Sequence, residues 1–174
     1  MKGHCILSHG FESGPDATKV TALAEAADAL GWTHERPDYT DLDARSDISP
    51  LGDVPARLER LLRIAAVAVA RGPVVLAGSS LGAYISGLAS LQVPVAGLFL
   101  MAPPVRMGEA PPLEAAAVTT SIIHGWHDEL IEATAVVAWA QARNDTLLLV
   151  PDSHRLTAHV GTARDAFAAM LAGL

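Results

Sequence analysis

Six short runs of apolar, β-favouring residues recur along the chain and are separated by segments with helical spacing. The runs are His4–Ser8, Trp32–Arg36, Val74–Ala77, Val95–Met101, Thr119–His124 and Thr146–Val150. Runs that are apolar on both faces are typical of parallel strands in a sheet that helices cover on both sides. The order of elements is βαβαβαβ, a loop, then βαβα. The sequence therefore predicts an α/β fold, a three-layer α/β/α sandwich with a six-stranded parallel sheet.

The segments between the runs carry apolar residues at intervals of three and four, the spacing of a helix with one buried face. They cover about residues 20–30, 54–69, 81–91, 132–143 and 156–172. Gly31 ends the first of these helices, and Gly72-Pro73 ends the second. Because the 174 residues contain no internal repeat or linker, the chain is predicted to form one domain, residues 1–174.

Composition restricts the class of protein and its partners. Although 51% of the residues are hydrophobic, no apolar stretch approaches the roughly 20 residues of a membrane-spanning helix. The net charge of −7, without a basic cluster, argues against a nucleic-acid partner. The apolar segment ending at Ser8 is too short for a signal peptide, and the single cysteine, Cys5, excludes disulfides. We therefore expect a cytoplasmic protein in which Cys5 is a buried small residue rather than a nucleophile.

The third run breaks into the pattern Gly-x-Ser-x-Gly at residues 78–82 and then into a helix. A strand that feeds a helix through so tight a turn holds the central serine in strained geometry, with its hydroxyl exposed at the helix N-terminus. A Cβ at Gly78 or Gly82 would collide with the neighbouring strand or helix. Ser80 is therefore a candidate nucleophile, while Ser79 is expected to face into the turn. The alternative is that Ser80 only caps the helix.

Two further strands end in residues that could assist a nucleophilic serine. Asp128 follows the fifth run and His154 follows the sixth. Because the carboxyl ends of parallel strands meet at one edge of a sheet, both side chains are expected near Ser80. A serine nucleophile needs a histidine base and a carboxylate that orients the imidazole. The chain order Ser80, Asp128, His154 is the order typical of this kind of turn in an α/β architecture.

Other residues near these strand ends compete for the same roles. His159 is the rival base, although it already lies in a helical stretch. The rival acids are Glu129, Glu132 and Asp152. We interpret the two glutamates as charges at a helix N-terminus and Asp152 as a solvated turn residue.

Histidines allow two further interpretations. His124 and His127, with Asp128, have a spacing that metal ligands can show, but no further ligand cluster accompanies them, so neither a metal nor a cofactor is predicted. His9 follows the first run and is expected to orient the loop there rather than to act as a base.

An oxyanion hole needs two backbone N–H groups aimed at one point. Leu81, after the nucleophile, and Phe11, in the first loop, are the candidates.

The whole chain resembles the α/β-hydrolase fold in a minimal form, without its first two antiparallel strands and without a cap domain. The motifs that carry the resemblance are His9-Gly10-Phe11-Glu12-Ser13-Gly14-Pro15 with Lys19 downstream, Pro37-Asp38-Tyr39, residues 78–82 and His154-Arg155-Leu156. Together they look like the small bacterial esterase-like hydrolases. The resemblance implies a serine hydrolase that cleaves a small carboxylic ester or thioester through an acyl-enzyme. It does not identify the substrate, because this fold hosts many reactions.

The connection after the fourth run, residues 102–113, contains four prolines and is expected to be stiff. It is also short, so we expect the site to have no lid. The expected apolar lining of the substrate pocket is Phe11, Val105, Met107, Leu113, Trp126 and Leu130. Several of these side chains could instead be core residues beneath a loop. A site with so short a cover suits a small acyl group. The alternatives are a non-catalytic binding protein of the same fold, and an acyltransferase or C–C hydrolase that uses the same three residues.

Overall fold

A computed structural model describes residues 2–174, so Met1 of the predicted domain lies outside the described residues. The strands are β1 (His4–Ser8), β2 (Thr33–Glu35), β3 (Val74–Ser79), β4 (Gly97–Met101), β5 (Thr119–Gly125) and β6 (Thr146–Val150). They form one six-stranded sheet in the order β2-β1-β3-β4-β5-β6. Every neighbouring pair is parallel, which confirms the predicted sheet. Strand β3 extends beyond its predicted end because Gly78 and Ser79 still pair with β4.

The helices lie close to their predicted positions, with one addition. They are α1 (Thr18–Ala29), α2 (Thr40–Asp43), α3 (Val54–Val69), α4 (Leu81–Ser90), α5 (Ala133–Arg143) and α6 (Val160–Ala172). Helix α2 was not predicted, because a single turn offers no apolar periodicity. The final predicted helix begins instead with a separate 3-10 turn, Thr157–His159, after which α6 starts.

Helices cover both faces of the sheet, which confirms the three-layer architecture. Cys5 and Leu7 of β1 join a core cluster that contains residues of α1 and α6. Ile6, between them, joins a second cluster with residues of α3, α4 and α5. This alternation follows from the strand geometry, since successive side chains point to opposite faces. None of the helices within residues 2–174 has the length and apolar character needed to cross a bilayer.

The burial of Cys5 leads to a prediction about thiol reactivity. Its side chain is fully buried in β1, and burial raises the pKa of the thiol to about 12. At pH 8 the thiol is therefore protonated and covered, and we expect the native protein not to react with an aromatic disulfide reagent over an hour. After unfolding in guanidinium chloride, one thiol per chain should react within minutes. Fast labelling of the native protein would contradict this placement.

Candidate active site

The turn between β3 and α4 places Ser80 in strained geometry at the edge of the sheet. Ser80 has φ 52° and ψ −116°, in the positive-φ region that non-glycine residues rarely adopt. Two backbone hydrogen bonds hold it there. Its N–H donates to the Met101 carbonyl of β4 at 2.9 Å, and its carbonyl accepts from the Tyr84 N–H at 3.0 Å. The strain is thus maintained by both the sheet and the first turn of α4.

The two glycines of the turn are required by close contacts. A Cβ on Gly78 would collide with the backbone of Gly82, and a Cβ on Gly82 would collide with the Ser8 carbonyl and lie 2.7 Å from the His9 carbonyl oxygen. The absence of side chains at these positions lets α4 begin directly against the end of β1. Ser80 and the loop after β1 therefore become neighbours.

A continuous chain of hydrogen bonds joins Ser80, His154 and Asp128. The His154 Nε2 lies 3.0 Å from the Ser80 Oγ, and its Nδ1 lies 2.8 Å from the Asp128 Oδ2. An ionised carboxylate only accepts, so the Nδ1–H donates to it and the Nε2 accepts from the serine hydroxyl. The Asp128 side chain is fully buried, whereas His154 is 13% exposed. This arrangement can remove a proton from Ser80 and stabilise the resulting imidazolium.

The buried carboxylate of Asp128 is held by two backbone donors besides His154. Its Oδ1 accepts from the N–H groups of Leu130 at 2.9 Å and Ile131 at 2.8 Å. The Nε2 of His124 lies 3.5 Å from its Oδ2 and donates to the Ile131 carbonyl at 3.0 Å. Sequence reasoning missed this role of His124, which it had considered only as a possible metal ligand. The available signal was the spacing of four residues between His124 and Asp128.

The rival residues have other partners. The Nδ1 of His159 lies 2.8 Å from the Asp152 Oδ2, and Asp152 also accepts from the N–H groups of Ser153 and Ala158. With a side chain only 9% exposed, Asp152 is not the solvated turn residue expected. Glu129 is exposed and accepts from the His154 N–H at 3.1 Å. The structure thus brings His154, and not His159, to Ser80.

The remaining candidates can be placed as well. Ser79, the last residue of β3, is buried within the turn, as expected. Glu132 is the exposed residue that precedes α5. His127 is also exposed. Within residues 2–174, no three His, Cys, Asp or Glu side chains gather in a way that could hold a metal ion.

Two backbone N–H groups, one in the loop beside Ser80 and one in the residue after it, are left without an acceptor in residues 2–174. Gly10 lies against the turn, since a Cβ built on it would be 3.4 Å from the Ser79 carbonyl oxygen and 3.7 Å from the Ser80 Cβ. Among the described residues, neither the Phe11 N–H nor the Leu81 N–H has a backbone or side-chain acceptor. Leu81 is the first residue of α4, where the helix dipole adds positive partial charge. Such an arrangement can bind a developing negative charge.

His9 holds the loop from within. Its Nε2 accepts from the Tyr39 N–H at 3.0 Å, so the proton resides on Nδ1, which donates to the Gly10 carbonyl at 2.7 Å. Burial lowers the pKa of His9, and the role of Nε2 as an acceptor requires a neutral ring. These contacts agree with the orienting role expected for this histidine.

Arg57 of α3 also stabilises this loop, a role that the sequence did not predict. Its side chain is fully buried, forms an ion pair with Asp43, and donates to the carbonyl oxygens of His9 and Gly10. The available signal was its position on the buried stripe of α3, four residues before Leu61 and eight before Ala65. A charged residue on an apolar helix face indicates a buried partner.

The six residues expected to line the substrate pocket divide into three groups. Val105 and Leu113 are 5% and 3% exposed and lie in the core, so, contrary to expectation, they do not form the surface of a substrate pocket. Phe11 and Met107 are half-buried. Trp126 and Leu130, on either side of Asp128 in sequence, are 53% and 72% exposed. The loop between β4 and β5 contains no helix among its described residues, and the site has no lid.

The chain belongs to the α/β-hydrolase superfamily, which confirms the resemblance found in its motifs. A protein of this superfamily from Xanthomonas campestris pv. campestris is 67% identical, the match covers 99% of both chains, and the TM-score is 0.98. Two more distant structures share the fold. Est1E from Butyrivibrio proteoclasticus is 19% identical over 98% of this chain and 87% of its own, with a TM-score of 0.77. A serine hydrolase without a lid from Xanthomonas campestris is 22% identical over 97% and 81%, with a TM-score of 0.74.

Comparisons with family models and with curated proteins give no match. The superfamily membership therefore rests on the solved structures, and it supports a hydrolase without specifying the bond that is cleaved.

The buried histidines lead to a prediction about stability and pH. Burial lowers the pKa of His124 below its usual 6.5, so below about pH 6.5 the unfolded chain binds a proton that the folded chain does not. The free energy of unfolding should therefore fall as pH falls from 6.5, by up to about 1.4 kcal/mol per pH unit for each such histidine. Urea titrations of the wild type and His124→Gln at pH 7.5, 6.5 and 5.5 measure this slope.

The free energy of unfolding should change less steeply with pH in His124→Gln than in the wild type. His127→Gln, which removes an exposed histidine three residues away, is the matched control and should leave the slope unchanged. Equal slopes in all three proteins would contradict the assignment to His124.

Proposed function

We propose that the protein is a serine hydrolase that cleaves a small carboxylic ester or thioester through an acyl-enzyme. Ser80 is the nucleophile, His154 the general base and acid, and Asp128 the residue that orients the imidazole. The observation that carries the proposal is the hydrogen-bonded chain from the Ser80 Oγ to the His154 Nε2, at 3.0 Å, and from its Nδ1 to the Asp128 Oδ2, at 2.8 Å. It lies at the tip of a strained turn, where a serine hydroxyl is open to substrate.

In the first half of the reaction, the Ser80 Oγ attacks the carbonyl carbon while its proton moves to the His154 Nε2. The buried Asp128 carboxylate stabilises the imidazolium that forms. The carbonyl oxygen becomes an oxyanion, which accepts hydrogen bonds from the N–H groups of Phe11 and Leu81. When the intermediate collapses, the alcohol or thiol leaves with the proton from Nε2, and the acyl group stays on Ser80.

In the second half, water replaces the leaving group. The neutral His154 Nε2 removes a proton from water as the water oxygen attacks the acyl-enzyme, and the same two N–H groups hold the second oxyanion. Collapse of this intermediate breaks the bond to Ser80, whose Oγ recovers its proton from Nε2. The carboxylic acid is released and the enzyme is restored.

The surface around Ser80 supports a preference for small substrates. Phe11, Met107, Trp126 and Leu130 are the proposed contacts for apolar parts of the substrate, and two of them are largely exposed. An open surface of this kind buries little of a long acyl chain, so each added methylene contributes less binding than in a deep pocket. We propose that the partner is a small molecule, and we expect the protein to bind neither nucleic acid nor a membrane. Buried, unpaired Cys5 favours a reducing compartment, and we propose the cytoplasm.

The assignment of the three residues is tested by substitution. Ser80→Ala should abolish labelling by a fluorophosphonate probe and should lower kcat/KM for p-nitrophenyl acetate by on the order of 10⁴-fold or more. His154→Ala should have a similar effect. Asp128→Asn should lower kcat by on the order of 10⁴, the loss measured for the corresponding change in trypsin-like enzymes.

His159→Ala is the matched control, because it removes a neighbouring histidine that pairs with Asp152 instead. Its kcat/KM should stay within about twofold of the wild type, since it leaves the Ser80–His154 hydrogen bond intact. Activity that survives Ser80→Ala would refute the proposal. A wild type that is neither labelled nor active would favour a non-catalytic binding protein, and acyl transfer to an added alcohol or thiol in place of hydrolysis would favour an acyltransferase.

Substrate size is tested with a series of p-nitrophenyl esters. We expect kcat/KM to be higher for acetate and butyrate than for palmitate, because the open site gives a long chain little cover. Trp126→Ala should raise KM for the butyrate ester about fivefold, the loss of roughly 1 kcal/mol of apolar contact. Leu91→Ala, at the far end of α4 with a similar exposure of 51%, should leave KM unchanged. Equal rates across the series would contradict the expected preference.

A further inference from the structure

The buried ion pair between Arg57 and Asp43 lies outside the residues that the proposed reaction uses. The Arg57 Nε donates to the Asp43 Oδ1 at 2.6 Å, and its Nη2 donates to the Asp43 Oδ2 at 2.7 Å. The Arg57 side chain is fully buried and the Asp43 side chain is 6% exposed. The guanidinium also stacks on Tyr39, 4.6 Å from the ring centroid. Nothing in the chemistry at Ser80 requires a charged group here.

The remaining hydrogen bonds of this pair all go to the loop after β1. The Arg57 Nη1 donates to the His9 carbonyl at 3.0 Å, and its Nη2 donates to the Gly10 carbonyl at 3.1 Å. The Asp43 Oδ2 accepts from the Glu12 N–H at 3.2 Å. The pair therefore holds the backbone on both sides of Phe11, whose N–H lies between the Gly10 and Glu12 contacts.

The loop needs such support because part of it is strained. Glu12 has φ 53°, a left-handed conformation that is strained for a non-glycine residue. The bond from its N–H to Asp43 counteracts the tendency of the loop to relax. Gly10, held at its carbonyl by Arg57, is the residue that lies against Ser80.

Stability alone does not account for a buried ion pair. Apolar residues of similar volume often replace such pairs with little loss, or even a gain, in the free energy of unfolding. What an arginine and a carboxylate provide is direction, since the planar guanidinium reaches fixed acceptors at fixed angles. In this protein those acceptors are the two carbonyl oxygens immediately before Phe11.

We propose that Arg57 and Asp43 are positioning residues that hold the Phe11 N–H in place beside Ser80 and thereby determine how well the oxyanion is stabilised. This inference rests on the proposed function, in which that N–H is one of two oxyanion donors. Because the oxyanion forms only during the reaction, a misplaced donor reduces the stabilisation of the transition state more than it reduces the binding of the substrate. Disruption of the pair should therefore lower kcat and leave KM nearly unchanged.

The chain contains a matched control for this experiment. The Arg143 Nε pairs with Asp145 at 2.6 Å, and its Nη1 and Nη2 donate to the carbonyl oxygens of Ala115 and Ala116 at 2.7 and 2.9 Å. It also stacks on an aromatic ring, Trp139, with a distance of 4.6 Å to the centroid. This cluster lies where α5 ends and where β5 and β6 begin, at the opposite edge of the sheet from Ser80.

The experiment compares Arg57→Met with Arg143→Met in the full chain, with kcat and KM measured on p-nitrophenyl acetate and thermal midpoints measured beside them. We expect Arg57→Met to lower kcat by about 10²-fold, the usual loss for one oxyanion donor, with KM within about threefold of the wild type. Arg57→Lys should recover only part of kcat, because an ammonium cannot reach all of the acceptors. Arg143→Met should keep kcat within about twofold even if its thermal midpoint falls.

A double variant, Arg57→Met with Asp43→Leu, covers the case in which a single substitution leaves a buried charge and prevents folding. It should fold and should show the same low kcat. Unchanged kcat in the folded Arg57 variants would overturn the proposal. An equal loss of kcat in Arg143→Met would overturn it as well, because the loss would then follow stability rather than position.

A second measurement separates this inference from the proposed function. The amide resonances of Gly10, Phe11 and Glu12, followed by ¹⁵N relaxation, report the order of the loop without any substrate. They should show increased motion in the double variant and not in Arg143→Met. If the wild type lacks Ser80-dependent activity, the proposed function fails, while the loop's order still tests the positioning role. An ordered, unshifted Phe11 amide in the double variant would overturn that role.

Discussion

The contact between α4 and the end of β1 is the constraint on which the site depends. Gly82, in the first turn of α4, lies so close to the Ser8 carbonyl that a Cβ could not fit, and Gly78 lies equally close to Gly82. This contact places Ser80 beside the loop of Gly10 and directs the N-terminus of α4 toward the same point. The proposed nucleophile, the N-terminal end of the helix dipole and the loop amides are therefore brought together by backbone packing, before any functional side chain takes part.

Two buried polar side chains at this edge of the sheet, Asp128 and His9, are each held by more than one partner. Asp128 accepts from two backbone N–H groups as well as from His154. Both ring nitrogens of His9 form hydrogen bonds with backbone groups, those of Gly10 and Tyr39. Such networks are costly when incomplete and rigid when complete, because an unpaired polar group in a poorly solvated site loses its hydration without compensation. Rigidity of this kind keeps the groups around Ser80 in place without a lid.

Local patterns predicted more of the fold than of the supporting contacts. The strands and the main helices follow from apolar periodicity, and the parallel sheet follows from their alternation. Because parallel strands end at a common edge, the sequence also indicated that Ser80, Asp128 and His154 would meet there. It did not predict helix α2 or the partners of Arg57, which is 48 residues from His9 and 14 from Asp43. Loops between elements decide such contacts, and loop paths leave no periodic signal.

Amino-acid order alone was enough to predict the succession of strands and helices, the glycine turn that carries Ser80, and the strand ends from which Asp128 and His154 arise. These features depend on backbone propensity and on spacing over a few residues, both of which can be read directly from the sequence. The folded structure was needed to show that His154 faces Ser80 while His159 pairs with Asp152, that His124 lies beside Asp128, and that Val105 and Leu113 belong to the core. Those choices depend on packing between distant segments, where the direction of a side chain is set by neighbours that its own sequence context does not contain.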